Sequence, residues 1–357
     1  MRKKIGVTTN DSSKIWSNGL NQNCYFLIKL LDKMGYDVVP LTRAEEDNTS
    51  FIDIKQEKLT EATVDNYFLI LEAAYMIETS MVEICRKKKI KVVSINYGNS
   101  LFYLIEGMLH NPDSGVGIHR EGVETWISPH YEFYKSFVEM TSKSKVKILP
   151  YIWEPWFIDG SLKEEYKINE KFSLETDKTN VACLEPNISI SKNFITPLYI
   201  AEALERDDSS IIKNMCLYGS KHMAEEKNFK KLTESTDLFR ARKLTIELRY
   251  SLIKLLNQKK FGTVISNHFY NDLNYVTLES LYLNYPIIHN SEFCKEAGYF
   301  YPKFDVSIAK EKLKQAIQTN DHISKNALEA SKEVLWGFSI KNPLVQERYR
   351  ELIKSAQ

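Results

Sequence analysis

Residues 268–290 read HFYNDLNYVTLESLYLNYPIIHN, and the order of residue types in this stretch decides the fold. At its centre, Thr277 to Ile288 predicts a helix that opens with the acid Glu279 and ends against a strand led by Pro286 and continued by Ile287 and Ile288. A helix delivered onto a short apolar strand is one step of a βα repeat.

The same step recurs ahead of it. Upstream, Val181 to Leu184, Met215 to Tyr218, Leu244 to Leu248 and Thr263 to Ser266 read as strands, and Pro286 to His289 continues the series, with amphipathic segments between several of them. The first half of the chain repeats the scheme. Ile5 to Thr9 is strand, Asn21 to Lys33 helix ended by Gly35, Val38 to Leu41 strand, Tyr67 to Leu71 strand, Thr79 to Lys89 helix and Lys91 to Ile95 strand. Thr125 to Ser128 and Val146 to Leu149 complete it around a helix from Tyr131 to Met140. Two α/β domains with Rossmann-like sheets follow, residues 1–163 and 180–330. Glu164 to Thr179, rich in Lys, Glu, Asp and Thr, is the expected linker, and residues 331–357 form C-terminal helices broken at Trp336-Gly337 and Asn342-Pro343.

Size and composition agree with two ordinary cores. A chain of 357 residues exceeds what one core usually supports. With 48 Lys+Arg against 47 Asp+Glu, the net charge of +1 selects no polyanionic partner. Cys24, Cys85, Cys183, Cys216 and Cys294 are dispersed, without metal or redox spacing, as in a reduced cytosolic protein. No apolar run approaches the ~20 residues a membrane span requires. A cytoplasmic location is expected, the host's cytoplasm for a phage-encoded chain. His110, His119, His130, His222, His268, His289 and His322 make no zinc-type cluster, so no metal site is expected. No P-loop or Gly-x-Gly-x-x-Gly is present, which argues against kinases and ordinary dehydrogenases.

Two segments carry the chemistry. In the stretch from Thr277, Pro286 follows Glu279 by seven positions. This resembles the donor-binding segment of retaining GT-B glycosyltransferases. The resemblance implies two Rossmann-like domains facing a central cleft, and a Glu279 carboxylate that accepts hydrogen bonds from the ribose hydroxyls of a nucleotide-sugar. Where that family often has a second Glu, eight positions earlier, this chain has Asn271, which can hydrogen-bond a sugar but carries no charge. The second segment, CLEPNISISKN, runs from Cys183 to Asn193 at the first strand–helix turn of the second domain. GT-B enzymes often place there an Arg and, five residues on, a Lys that neutralise the diphosphate; here the pair is Asn187 and Lys192, and Arg249 can supply the missing charge. The donor-contact candidates are therefore Asn187, Ser189, Lys192, Arg249, His268, Asn271, Asn274, Thr277 and Glu279, with Gly19 opposite them in the first domain.

EPNIS, NHFYNDLNY, YPIIHNS and GYFYPKFD, with Ser17 to Asn23 and Glu124 to Glu132, resemble an uncharacterised family of phage and bacterial proteins regarded as glycosyltransferases. The resemblance implies a nucleotide-sugar donor, UDP-sugar foremost, no required cofactor or metal, and a last helix that crosses back to the first domain. Phages glycosylate hydroxylated pyrimidines in their DNA, so hydroxylated or hydroxymethylated cytosine in DNA is the favoured acceptor. A glycan or surface polymer is the alternative, and a nucleotide-sugar epimerase of the same fold is the alternative reaction. If the transferase inverts, Glu72 and Glu154 are the carboxylates to consider as general base, with Asp11 third; a retaining enzyme needs none.

Overall fold

A computed structural model describes residues 4–10, 19–44, 50–110, 119–164, 176–258 and 260–356. In chain order the first elements are β1 (Lys4–Thr8), α1 (Gly19–Lys33), β2 (Val38–Thr42), β3 (Ser50–Phe51), β4 (Ile54–Lys55), β5 (Glu57–Lys58), β6 (Tyr67–Glu72) and α2 (Thr79–Lys87). They continue with β7 (Lys91–Asn96), α3 (Ser100–His110), β8 (Glu124–Ile127), α4 (Lys135–Ser142), β9 (Val146–Ile148) and α5 (Trp156–Glu164). After these come β10 (Asn180–Cys183), α6 (Ile195–Asp207), β11 (Asn214–Tyr218), α7 (Lys227–Glu234), α8 (Asp237–Arg240), β12 (Leu244–Glu247), α9 (Leu252–Asn257) and β13 (Thr263–Ile265). The last are α10 (Tyr275–Tyr282), β14 (Ile287–His289), β15 (Tyr299–Phe300), α11 (Val306–Gln318), α12 (Lys325–Trp336) and α13 (Pro343–Ala356).

Two parallel sheets result. One runs β5-β2-β1-β6-β7-β8-β9, the other β12-β11-β10-β13-β14-β15. Each begins at its inner strand, builds outward on one side, then returns to build on the other, which is the doubly wound order. Parallel strands are covered by helices on both faces, so their sequences are apolar throughout rather than alternating. In β6, Leu69, Ile70 and Leu71 are all buried. Val181, Leu198, Ile200, Met215, Leu217, Ile265, Ile288 and Leu313 form the core of the second sheet and its helices.

The chain divides into two compact units, Met1–Glu154 with Gly337–Gln357, and Pro155–Trp336. These bounds differ from 163, 330 and 331 for a packing reason. Helix α5 belongs to the second unit, where Asp159 accepts a hydrogen bond from the Tyr282 hydroxyl at 2.7 Å. Helix α12 stays whole in that unit. Of the expected linker, residues 165–175 lie outside the described residues, whereas Asp177 already pairs with Lys213 at 2.8 Å inside the second unit.

Helix α13 completes the first unit. Tyr349 and Ile353 are fully buried there, and the Tyr349 hydroxyl donates to the Pro150 carbonyl at 3.0 Å. Glu154 secures the segment leading to it: one oxygen accepts from the Ser339 hydroxyl at 2.6 Å and from the Ile340 amide at 2.9 Å. Glu154→Ala leaves two buried donors unpaired, so a loss of roughly 1–3 kcal/mol is expected. It should appear as a lower urea midpoint with unchanged slope, and an unmoved midpoint would exclude this anchoring role.

Candidate functional site

In a doubly wound sheet, ligands bind beyond the carboxyl ends of the strands, where the winding reverses. In the second sheet that point lies between β10 and β13. Both strands end in buried polar residues there, Glu185 after β10 and Ser266 and His268 after β13.

The loop after β10 is folded around Asn187. Its φ of 56° lies in the left-handed region, which Asn tolerates better than most residues. Its amide donates to the Glu185 carbonyl at 2.7 Å and the Ser220 hydroxyl at 3.0 Å, and its side-chain oxygen accepts from the Phe194 amide at 2.7 Å, just ahead of α6. Asn187 is thus committed to the loop itself. Gly219 closes against it: with φ of 75°, a Cβ there would stand 2.7 Å from the Glu185 carbonyl oxygen. Beyond Asn187 the Ser189 carbonyl accepts from the Lys192 amide at 3.1 Å, and Lys192 then pairs antiparallel with His268 in an isolated bridge. The Phe269 amide donates to the Ser191 carbonyl at 3.1 Å. The two switch-point loops are therefore laced together by main chain.

Below this bridge is a buried side-chain network. Glu185 Oε1 accepts from the Ser266 hydroxyl at 2.6 Å and lies 3.2 Å from His268 Nε2. His268 Nε2 also meets the Asn274 amide, and the His268 main chain exchanges two hydrogen bonds with the Asn290 side chain at 2.9 and 2.8 Å. Burial would raise the Glu185 carboxyl, but His268, Ser266 and Lys192 outweigh it and hold it below the usual value. Glu185 Oε2 and His268 Nδ1 are buried without a hydrogen-bond partner among the described residues.

Lys192 is lowered by burial; Glu185 opposes that fall and Arg249 adds to it. Arg249, exposed in the loop after β12, is therefore near enough for its charge to be felt at Lys192. Two cations above one buried carboxylate leave a local excess of positive charge, suited to an anion of more than one charge.

Helix α10 adds Asn274 as its N-cap residue and Thr277, whose buried hydroxyl has no partner among the described residues. The sequence expectation for Glu279 is corrected here. The helix starts at Tyr275 and has no acid in its first turn, so Glu279 sits beyond the reach of the helix-end dipole. Burial, with no compensating partner among the described residues, pushes its carboxyl up to about 8.

The first-unit candidates are spread among fold contacts. Glu72 ends β6 and is spent: its oxygens accept from the Ile77 amide at 2.9 Å and from the Ser94 hydroxyl, with Arg120 3.4 Å away. Glu154 holds the C-terminal segment as described above. Gly19 is the first residue of α1. Asp11 lies outside the described residues. Ser189 accepts from the Ser191 amide at 3.2 Å and shapes the turn ahead of Lys192. Asn271, after β13, is buried.

Sequence reasoning missed Glu185 as a partner of His268, and it missed Asp272. Burial and Glu292 push the Asp272 carboxyl up to about 6 against the pull of His268. An acid directly behind a strand was the signal for Glu185. Among the described residues no three His, Cys, Asp or Glu side chains are grouped to hold a metal, and no helix is long and apolar enough to cross a membrane.

Two doubly wound parallel sheets, one in each unit, are the GT-B fold found in nucleotide-sugar glycosyltransferases. Solved structures share it over nearly the whole chain. A glycosyltransferase from Rickettsia africae is 12% identical with a TM-score of 0.57, over 100% of this chain and 99% of its own. Anabaena HepE in complex with UDP-glucose is 11% identical with a TM-score of 0.54, over 99% of each chain. An α-glucosyltransferase in complex with UDP and a 13-mer DNA containing an HMU base is 10% identical with a TM-score of 0.57, over 98% of this chain and 99% of its own. The chain belongs to the family described as protein of unknown function DUF2827, which matches residues 5–353. No curated protein matches its sequence.

Proposed function

We propose that this protein is a glycosyltransferase that takes its sugar from a UDP-sugar held by the second unit. The observation that carries the reading is Lys192 at the switch point, held by its bridge to His268, whose ring meets the buried Glu185 carboxylate. Departure of UDP puts charge on the diphosphate, and cations already in place stabilise that charge without reorganising at the moment of reaction. Glu279, with no side-chain partner among the described residues, is the acceptor for the ribose hydroxyls, and Asn271, Asn274 and Thr277 offer neutral polar groups to the sugar.

The acceptor we favour is a hydroxylated or hydroxymethylated cytosine in DNA. Support comes from the similar fold of an α-glucosyltransferase bound to HMU-containing DNA. A glycan or surface polymer is the second reading, since a net charge of +1 neither favours nor opposes a phosphate backbone. The test is incubation with a panel of UDP-sugars and DNA containing 5-hydroxymethylcytosine, followed by digestion to nucleosides and mass spectrometry. A glycosylated nucleoside is expected. Transfer to glycans alone would replace the acceptor, and UDP-sugar turnover that needs no acceptor and yields the epimeric sugar would make the protein an epimerase.

A further inference from the structure

Glu185 is fully buried, touches no part of the surface and still keeps one oxygen without a hydrogen-bond partner among the described residues. A carboxylate in that position costs stability unless its charge is used by something nearby. Its contacts show by what. Through 3.2 Å it meets the ring of His268, and the backbone of His268 is the partner of Lys192 in the antiparallel bridge. Ser266, at 2.6 Å from Glu185, and Asn274, which meets the same Nε2 of His268, hold the pair in place.

We propose that Glu185 is the positioning residue of Lys192: it pins the His268 end of the bridge on which Lys192 stands and is the buried negative charge that the lysine faces. The inference rests on the donor site proposed above and deepens it, since it says what fixes the place of the lysine assigned there to the diphosphate.

The groups facing this pair are few. Around Glu185 are His268, Ser266 and Lys192, with the Cys183 thiol and the Tyr301 phenol, both raised by burial and neutral. Lys192 faces Glu185 and Arg249. His268 is sensed in turn by Asp272 and His289. Of these only Glu185 and Asp272 carry negative charge, and only Glu185 acts on Lys192.

The test is competitive labelling of lysines with acetic anhydride across pH 6–10 in the full-length protein, read by peptide mass spectrometry at Lys192. In Glu185→Gln, which keeps the volume and an accepting oxygen, Lys192 should become reactive roughly one pH unit lower than in the wild type, the size of effect one nearby charge commonly has. Ser266→Ala removes a hydroxyl that lies 2.6 Å from Glu185 and 3.0 Å from His268 Nε2 but leaves the Glu185 charge in place, and should move the same profile the same way by less. Unmoved profiles in both variants overturn the proposal, and so does an equal shift at exposed lysines. A second arm measures UDP affinity by calorimetry. In Glu185→Gln its alkaline fall should begin at lower pH, and Glu185→Gln with Lys192→Arg should abolish that shift because a guanidinium does not titrate there. If wild-type protein binds no UDP, the donor reading fails, while the labelling still decides the role of Glu185.

Discussion

Replacing Lys192 and Arg249 together by alanine is expected to lower UDP affinity at least a hundredfold while leaving uridine affinity within about threefold. Each charge-assisted hydrogen bond to phosphate is worth roughly 1.5–3 kcal/mol, or about tenfold or more. The two residues should not contribute independently. The charge of Arg249 disfavours the ammonium of Lys192, so Arg249→Ala removes one contact but relieves the other. Its cost alone should fall below that of Lys192→Ala, and a double-mutant cycle should return a nonzero coupling. Calorimetric titration of UDP and uridine into the three variants measures this. Wild-type affinity for UDP in the double variant would remove the diphosphate from this loop.

A comparable loss, about ten- to a hundredfold, is expected for Glu279→Gln above pH 8, with little loss at pH 6. At pH 6 both side chains are neutral, because burial holds the Glu279 carboxyl up to about 8. Only above that value does the wild type present a carboxylate that the amide cannot imitate. The stability of the ligand-free protein should move the other way. The folded pKa lies above the unfolded one, so the folded state binds the extra proton and stability falls as pH rises from about 4.5 to about 8. The carboxyl keeps some contact with water, which reduces the penalty to on the order of 2–4 kcal/mol. Glu279→Gln escapes it. Urea denaturation at pH 5.5 and 8.5 should show the variant gaining on the wild type at the higher pH. Equal differences at the two values would show that Glu279 is not buried without a partner.

Much of this architecture was legible because parallel strands announce themselves. Val181 to Leu184 and Tyr67 to Leu71 are apolar on both faces, and few other structures ask for that. Strands β5 and β15 escaped because two residues carry no period. Helix α3, SLFYLIEGMLH, escaped because it is apolar nearly all round and leaves Tyr103, Met108 and Leu109 exposed. In the site, Lys192 and Glu279 were named through the resemblance of their segments to those of GT-B enzymes. The pairing of Glu185 with His268 could not be read that way, since it depends on β10 and β13 becoming neighbours across the switch point, a fact of topology. Glu72 looked like a free acid behind a strand, and only the positions of Ser94 and Arg120 reveal that it is spent.

The first unit is assembled from two separated stretches, with the whole second unit between them in the chain. Ribosomes deliver a protein from its N-terminus, and domains usually close in that order. Here the order is inverted. The second unit has all its strands and helices once Trp336 has emerged, whereas the first must wait, with the places of Tyr349 and Ile353 empty, until helix α13 has left the exit tunnel. The part of the molecule synthesised first is the part finished last, and during that interval its unfilled core is the surface a chaperone would meet.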